Sequence, residues 1–272
     1  MLSNVLYDAT ISFYAASVCC FFIDYVETNR KVHKLAFWLL SIVWVLQLAI
    51  FYLKYKTLGS FPIVTLADGV FFLTWVLVTV SLLLDRFYKL DLLLSFSNSL
   101  SFCLMAISLF KPDQRVSPII SRHLMSDLLI IHITIALVAY AAFAISFVLS
   151  MMYLMEYSLL KQKKWNKRLI RFGSLSMLEK GSFYCNLIGV PLLSISLILG
   201  VIRASTALPD FSWLDPKVIM SFVVLAVYGF YLYQKLGKNV YGRTLIFWNT
   251  VAFLLVLINV FLSATLTRFH LW

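Results

Sequence analysis

Eight long apolar segments are the feature that most constrains how this chain can fold. A helix needs about 20 apolar residues to cross the hydrocarbon core of a membrane. Segments of about this length, bounded by charged or turn residues, are Leu6–Tyr25, Leu35–Leu53, Leu66–Leu84, Leu92–Phe110, Leu128–Leu154, Phe183–Ala204, Val218–Tyr233 and Thr244–Thr267. Each is a continuous apolar run without the alternation of barrel strands. The sequence therefore predicts an all-α, polytopic membrane helix bundle with eight transmembrane helices, in a single transmembrane domain covering residues 1–272.

The composition agrees with a membrane location. Only 13% of the 272 residues are charged and 62% are hydrophobic, whereas soluble domains carry about 25% charged residues. This balance leaves too little polar surface to enclose a soluble core, which excludes most classes of soluble enzyme.

The basic residues predict the orientation of the chain. Of the 23 lysines and arginines, 15 fall in the first, third, fifth and seventh loops and eight fall elsewhere. The positive-inside rule then places the odd-numbered loops in the cytoplasm and both termini outside. The longest of these loops, Lys161–Lys180, is interpreted either as a topology anchor on anionic lipid head groups or as a docking surface for a cytoplasmic protein. A nucleic-acid partner is not expected.

Residues that could support catalysis are scarce. The sequence contains no phosphate-binding G-x-x-x-x-G-K-[ST] run, no G-x-S-x-G elbow and no H-E-x-x-H pair. Its carboxylates lie near predicted helix ends, which argues against a proton-coupled pump. No cysteine belongs to a C-x-x-C pair, so buried structural thiols are expected at Cys19, Cys20, Cys103 and Cys185. The chain is predicted not to be an enzyme.

Of the four histidines, His33 in the first loop and His123 in the fourth are interpreted as solvated surface residues. The other two are more informative, and both lie at the predicted outer face. His132 falls roughly 7–8 Å into the fifth segment, where an imidazole needs a partner or ligand. His270 follows the last segment. Two neutral imidazoles could supply both axial ligands of a haem iron. The alternative is a hydrogen-bonded interfacial histidine and an unrelated terminal one.

The loop between the sixth and seventh segments lies at the same predicted face. Phe211 and Trp213 could pack against a flat macrocycle, and Arg203 and Lys217 could pair with its propionates. Aromatic residues that anchor a short interfacial loop would produce the same pattern.

Several segments together resemble the cytochrome c assembly membrane family, whose members handle haem. In chain order they are Leu58–Asp68 followed by Phe72–Trp75, His132–Tyr140, Ser174–Lys180 with Ile188–Leu193, Trp213–Lys217, Gly242–Arg243 and Phe269–His270. The resemblance implies that His132 and His270 are the external histidines that flank a tryptophan-rich loop and ligate haem, here haem b. It also implies a multi-pass protein of the cell membrane.

Two departures refine this resemblance. Of the tryptophan-rich loop only Trp213 remains, and no histidine lies deep within a segment, which argues against cytochrome c synthase activity. Size, eight segments and the eroded loop are most similar to the HemX type of Gram-positive bacteria. That type is associated with haem biosynthesis and lowers the level of glutamyl-tRNA reductase, so the loop Lys161–Lys180 becomes a plausible contact for the reductase. The alternatives are an assembly factor that presents haem at the outer face, and a transporter of haem or another small molecule.

Overall fold

A computed structural model describes residues 2–59, 63, 65–88, 91–109, 127–163, 171–207 and 213–262. In this part of the chain every long element is a helix. The helices are α1 (Leu2–Glu27), α2 (Arg30–Leu58), α3 (Leu66–Tyr88), α4 (Asp91–Leu109), α5 (Asp127–Lys161), α6 (Leu175–Ala207), α7 (Pro216–Leu236) and α8 (Arg243–Leu262). Each predicted apolar segment lies within one of them or begins in it, so the prediction of an all-α bundle is confirmed.

Seven of these helices are long and apolar enough to cross a membrane. The exception is α4, whose apolar stretch Leu92–Ile107 is shorter. Helix α6 begins at Leu175 rather than at the predicted Phe183. Its first turns carry Glu179, which forms a half-buried ion pair with Lys235 at 2.5 Å.

The first of two compact units contains α1–α4 together with Arg171 and Phe172. In it α1 packs against α2 and α4, and α3 packs against α4. Tyr14, Phe21 and Phe71 are among the large side chains buried in its core. The prediction of a single domain stays a prediction.

The second unit contains α5–α8. Helices α5 and α6 pack closely and run antiparallel. Their direction is shown by three glycines of α6, which face side chains that occur in the reverse order along α5. A Cβ added to Gly181 would lie 3.1 Å from Leu149, and one added to Gly189 would lie 2.5 Å from Phe143. A third glycine, Gly200, lies against His132.

A buried polar cluster connects three helices of the second unit. The amide nitrogen of Asn249 on α8 lies 2.8 Å from the Ser146 hydroxyl, 2.7 Å from the Ser150 hydroxyl and 3.0 Å from the Ser182 hydroxyl. Its amide oxygen accepts a hydrogen bond from Asn186 at 2.8 Å. Polar groups in an apolar bundle are satisfied by one another in this way.

Candidate functional site

His132 is held at the predicted outer end of α5 by one residue of α6. Its Nδ1 lies 2.5 Å from the carbonyl oxygen of Ser196 and 3.0 Å from the Ser196 hydroxyl. That hydroxyl donates in turn to the backbone carbonyl of His132 at 2.9 Å. The sequence predicted that this half-buried imidazole needs a partner, and Ser196 is that partner.

These contacts determine which ring nitrogen carries the proton. A carbonyl oxygen can only accept, so Nδ1 must donate. In a neutral imidazole the other nitrogen, Nε2, then keeps its lone pair. Nε2 has no hydrogen-bond partner in the part of the chain that the structure describes. This is the arrangement of a metal-binding histidine, whose second nitrogen donates to a carbonyl or carboxylate.

The start of α7 brings a cation to the same end of the second unit. Asp215 caps the helix by accepting a hydrogen bond from the backbone nitrogen of Lys217 at 2.8 Å, and Pro216 occupies its first turn. Both are favoured at helix starts, aspartate as a capping acceptor and proline because it needs no donor there. Lys217 is half-buried and lies within electrostatic reach of His132.

Of the other predicted site residues, the structure describes two more and leaves two outside the described ranges. Arg203 is half-buried in the last turns of α6, and Trp213 is 60% exposed in the turn before α7. Phe211 and His270 lie outside the described residues. The structure therefore places Lys217 within electrostatic reach of His132, and the pairing of His132 with His270 stays a prediction.

A second hydrogen-bonded group connects α8 to α5 and α7, the helices that carry His132 and Lys217. Asn259 on α8 donates to the hydroxyl of Tyr140 on α5 at 2.9 Å. The same amide lies 3.3 Å from the hydroxyl of Ser221 on α7. His132 precedes Tyr140 by two helical turns and Lys217 precedes Ser221 by one, so this group supports the site from deeper in the unit.

Sequence reasoning missed Ser196, Gly200 and Asn259. Serine and asparagine are ordinary in packed membrane helices, and no motif marks them. Gly200 carried the only available signal, since an isolated glycine inside a helix usually has a packing reason.

The first unit holds a buried charged group of its own. Asp24 accepts a hydrogen bond from Arg171 at 2.5 Å, and its carboxylate lies 3.1 Å from Nδ1 of His33. The sequence predicts a solvated loop position for His33, but the residue is half-buried and its ring packs edge-on against Phe21. That interpretation was wrong because the burial of Asp24 depends on contacts between positions far apart in sequence.

The cysteines also differ from expectation. Cys19 and Cys103 are exposed rather than buried, and Cys20 and Cys185 are half-buried. Within the described ranges no group of three or more histidine, cysteine or carboxylate side chains could hold a metal ion.

Comparison with known proteins identifies similar chains. The family model described as cytochrome C assembly protein matches residues 63–270. The chain is 46% identical over 267 residues to Protein HemX of Bacillus subtilis (strain 168), covering 97% of this chain and 96% of that protein. It is 41% identical to Protein HemX of Brevibacillus brevis, covering 98% and 97% of the two chains. The cytochrome c biogenesis protein CcsA of Prochlorococcus marinus (strain MIT 9215) is 27% identical over 227 residues, covering 75% and 73%.

Proposed function

The chain belongs to the cytochrome c assembly protein family, and on that basis we propose that this multi-pass membrane protein is a non-enzymatic haem-binding protein of the HemX type. The haem, haem b, binds at the outer end of the second unit. His132 and His270 are the residues that would hold its iron. Near-full-length identity of 46% to a HemX protein supports the type.

The tautomer of the His132 imidazole is the observation that best supports the haem site. Its Nδ1 donates to Ser196, which leaves the Nε2 lone pair for a metal. A neutral imidazole is a common axial ligand of haem iron, so this side chain fits the group that the family implies. When bound, haem would supply an iron that accepts such nitrogen ligands and a flat, largely apolar macrocycle.

The remaining site residues match the other parts of a haem molecule. Lys217 and Arg203 are cations at the same end of the unit and would pair with the propionate carboxylates. Trp213, with Phe211, would pack against the face or edge of the macrocycle. Their roles follow from the resemblance and from charge complementarity.

The cellular role proposed for the protein is control of haem synthesis. We propose that it lowers the level of glutamyl-tRNA reductase, as the resemblance to the HemX type implies. The segment Lys161–Lys180 is the cytoplasmic contact, for the reductase or for another cytoplasmic protein. Haem at the outer face can influence such a contact only if it binds two conformations of the bundle with different affinities.

Spectra of the purified protein test the haem site. Oxidised and reduced absorption spectra are recorded for wild type, His132→Ala and His270→Ala, with His123→Ala as the matched control. We expect a six-coordinate haem spectrum in wild type and in the control, and its loss in each ligand variant. A wild type that contains no haem and takes none up would overturn the proposal, and unchanged spectra in both variants would move the ligands elsewhere.

Deletion of the gene tests the cellular role. Reductase abundance, measured by immunoblot, should rise on deletion and fall again when the wild-type gene is restored. An unchanged level removes the regulatory role. Loss of c-type cytochromes on deletion would instead support the alternative of an assembly factor, which the similarity to CcsA proteins brings forward.

A further inference from the structure

The imidazole of His132 lies against a short stretch of α6 that is shaped for it. Ser196 and Gly200 are one helical turn apart, so they lie on the same face of α6. Ser196 contacts the ring at Nδ1, and Gly200 lies beside Cε1 and both ring nitrogens. The ring is therefore held by a hydrogen bond at one atom and by close packing along one side.

Gly200 has no room for a side chain. A Cβ at this position would lie 2.6 Å from Cε1 of His132, 2.9 Å from Nδ1 and 3.0 Å from Nε2. Contacts below 3.0 Å require the ring or the neighbouring backbone to shift, and the hydrogen-bonded side chain is the freer of the two. The movement would also break the Ser196 contact, because that hydrogen bond fixes the same ring.

Helix propensity does not account for a glycine here. Glycine inside a helix costs about 1 kcal/mol relative to alanine. Gly229 in α7 shows that a helical glycine of this chain can have open space around it, since a Cβ added there would meet no atom within 4 Å. At Gly200 the space is taken up by the imidazole itself.

We propose that Ser196 and Gly200 are positioning residues that make Nε2 of His132 the atom that ligates the haem iron. Ser196 selects the tautomer by accepting the Nδ1 proton, and Gly200 lets the ring approach α6 closely enough for that hydrogen bond. The proposal rests on the haem site proposed above. It adds the ligating atom and two residues that do not touch the iron.

Nitrogen NMR on the haem-free protein tests the ring state directly. With ¹⁵N-labelled histidine only four side chains report, and the signal of His132 is assigned by its disappearance in His132→Ala. We expect a protonated Nδ1 and an unprotonated Nε2 in wild type. In Gly200→Ala we expect the Nδ1 and Nε2 signals to shift as the hydrogen bond is lost.

Two other glycine substitutions are matched controls. Gly229→Ala adds a methyl group in open space. Gly189→Ala adds one to α6, the helix of Gly200, and this methyl group faces Phe143, which lies about three helical turns after His132 on α5. Both should leave the His132 signals at their wild-type positions. Gly189→Ala thus separates a general disturbance of α5–α6 packing from a displaced imidazole.

Haem titration provides the second readout. Residues that orient a metal-binding histidine typically change metal affinity about 10–100-fold when altered, and we expect a loss of this size in Gly200→Ala but not in Gly229→Ala. A proton on Nε2 in wild type, or NMR signals and haem affinity of Gly200→Ala equal to those of wild type, would overturn the inference. If wild type binds no haem, the proposed function fails while the NMR measurement still decides the ring state.

Discussion

Arg171 and Asp24 are 147 positions apart in sequence and form an ion pair in the first unit, with the carboxylate buried and the guanidinium half-buried. The guanidinium donates to the Asp24 carboxylate at 2.5 Å and to the Asp24 backbone carbonyl at 3.0 Å. The Asp24 side chain is 1% exposed. Arg171, a basic residue of the segment Lys161–Lys180, therefore stabilises the first unit.

Removing Arg171 should destabilise the protein strongly. Arg171→Ala leaves the buried Asp24 carboxylate without its main cationic partner, and breaking a buried pair from one side costs about 3–5 kcal/mol. Arg171→Lys should fall between alanine and wild type, because lysine keeps the charge but cannot donate two parallel hydrogen bonds. The measurement is the free energy of unfolding in detergent. Lys161→Ala, which changes an exposed residue of the same segment, serves as the control. Equal unfolding free energies of wild type, Arg171→Ala and Arg171→Lys would contradict the prediction.

Asn249 should contribute to stability through the polar cluster of the second unit. Asn249→Leu keeps the volume roughly constant but leaves the Asn186 amide and three serine hydroxyls without this partner. We expect a loss of about 1–2 kcal/mol, at the upper end for polar contacts between membrane helices. Thr250→Val is the control, since among the described residues the Thr250 hydroxyl bonds to Ile246 of its own helix alone. Equal unfolding free energies for the two variants would show that the cluster contributes nothing.

Gly189→Ala should destabilise the α5–α6 pair by overpacking. The added methyl group meets the ring of Phe143 at 2.5 Å, and that ring has little freedom because it stacks on Tyr228 with centroids 3.8 Å apart. Overpacking of this kind costs about 1–3 kcal/mol. Gly229→Ala should instead be neutral or stabilising by up to about 1 kcal/mol. Adding Phe143→Leu to Gly189→Ala should recover part of the lost unfolding free energy. If it recovers none, the added methyl group does not destabilise the protein through Phe143.

The predicted orientation can be tested by chemical labelling. In a cysteine-free background, Leu214→Cys and Lys238→Cys place single thiols at exposed positions in the sixth and seventh loops. A membrane-impermeant maleimide should label Leu214→Cys in intact cells and Lys238→Cys only after the membrane is opened. The reverse pattern would invert the topology and move the candidate site to the cytoplasmic face.

The helices were predictable because their signal is local. Continuous apolar runs mark Leu66–Leu84 or Leu128–Leu154 without knowledge of any other part of the chain. The helix ends were less predictable, as the early start of α6 shows, because Glu179 in its first turns pairs with Lys235 on α7 and accepts a hydrogen bond from the backbone of Gly242. That pairing is invisible in the sequence.

The candidate site was likewise predictable only in its locally marked residue. His132 stood out because a histidine inside an apolar run is costly without a partner. Ser196 and Gly200 could not be assigned to it, since the contact depends on the register between α5 and α6. His33 was misjudged for the related reason that its partner Asp24 lies in another helix.

The three glycines of α6 restrict how the second unit could relay a signal. Leu149, Phe143 and His132 each contact a different glycine along about 19 residues of α6. A slide of one helical turn, about 5.4 Å, would push Phe143 against the side chain of Cys185 or Leu193 and His132 against that of Ser196 or Ala204. All three contacts would be lost together, so these glycines disfavour axial sliding of α5 past α6. The proposed coupling of haem binding to the cytoplasmic side would therefore require a movement that keeps this pair in register, such as a joint tilt or rotation of the two helices.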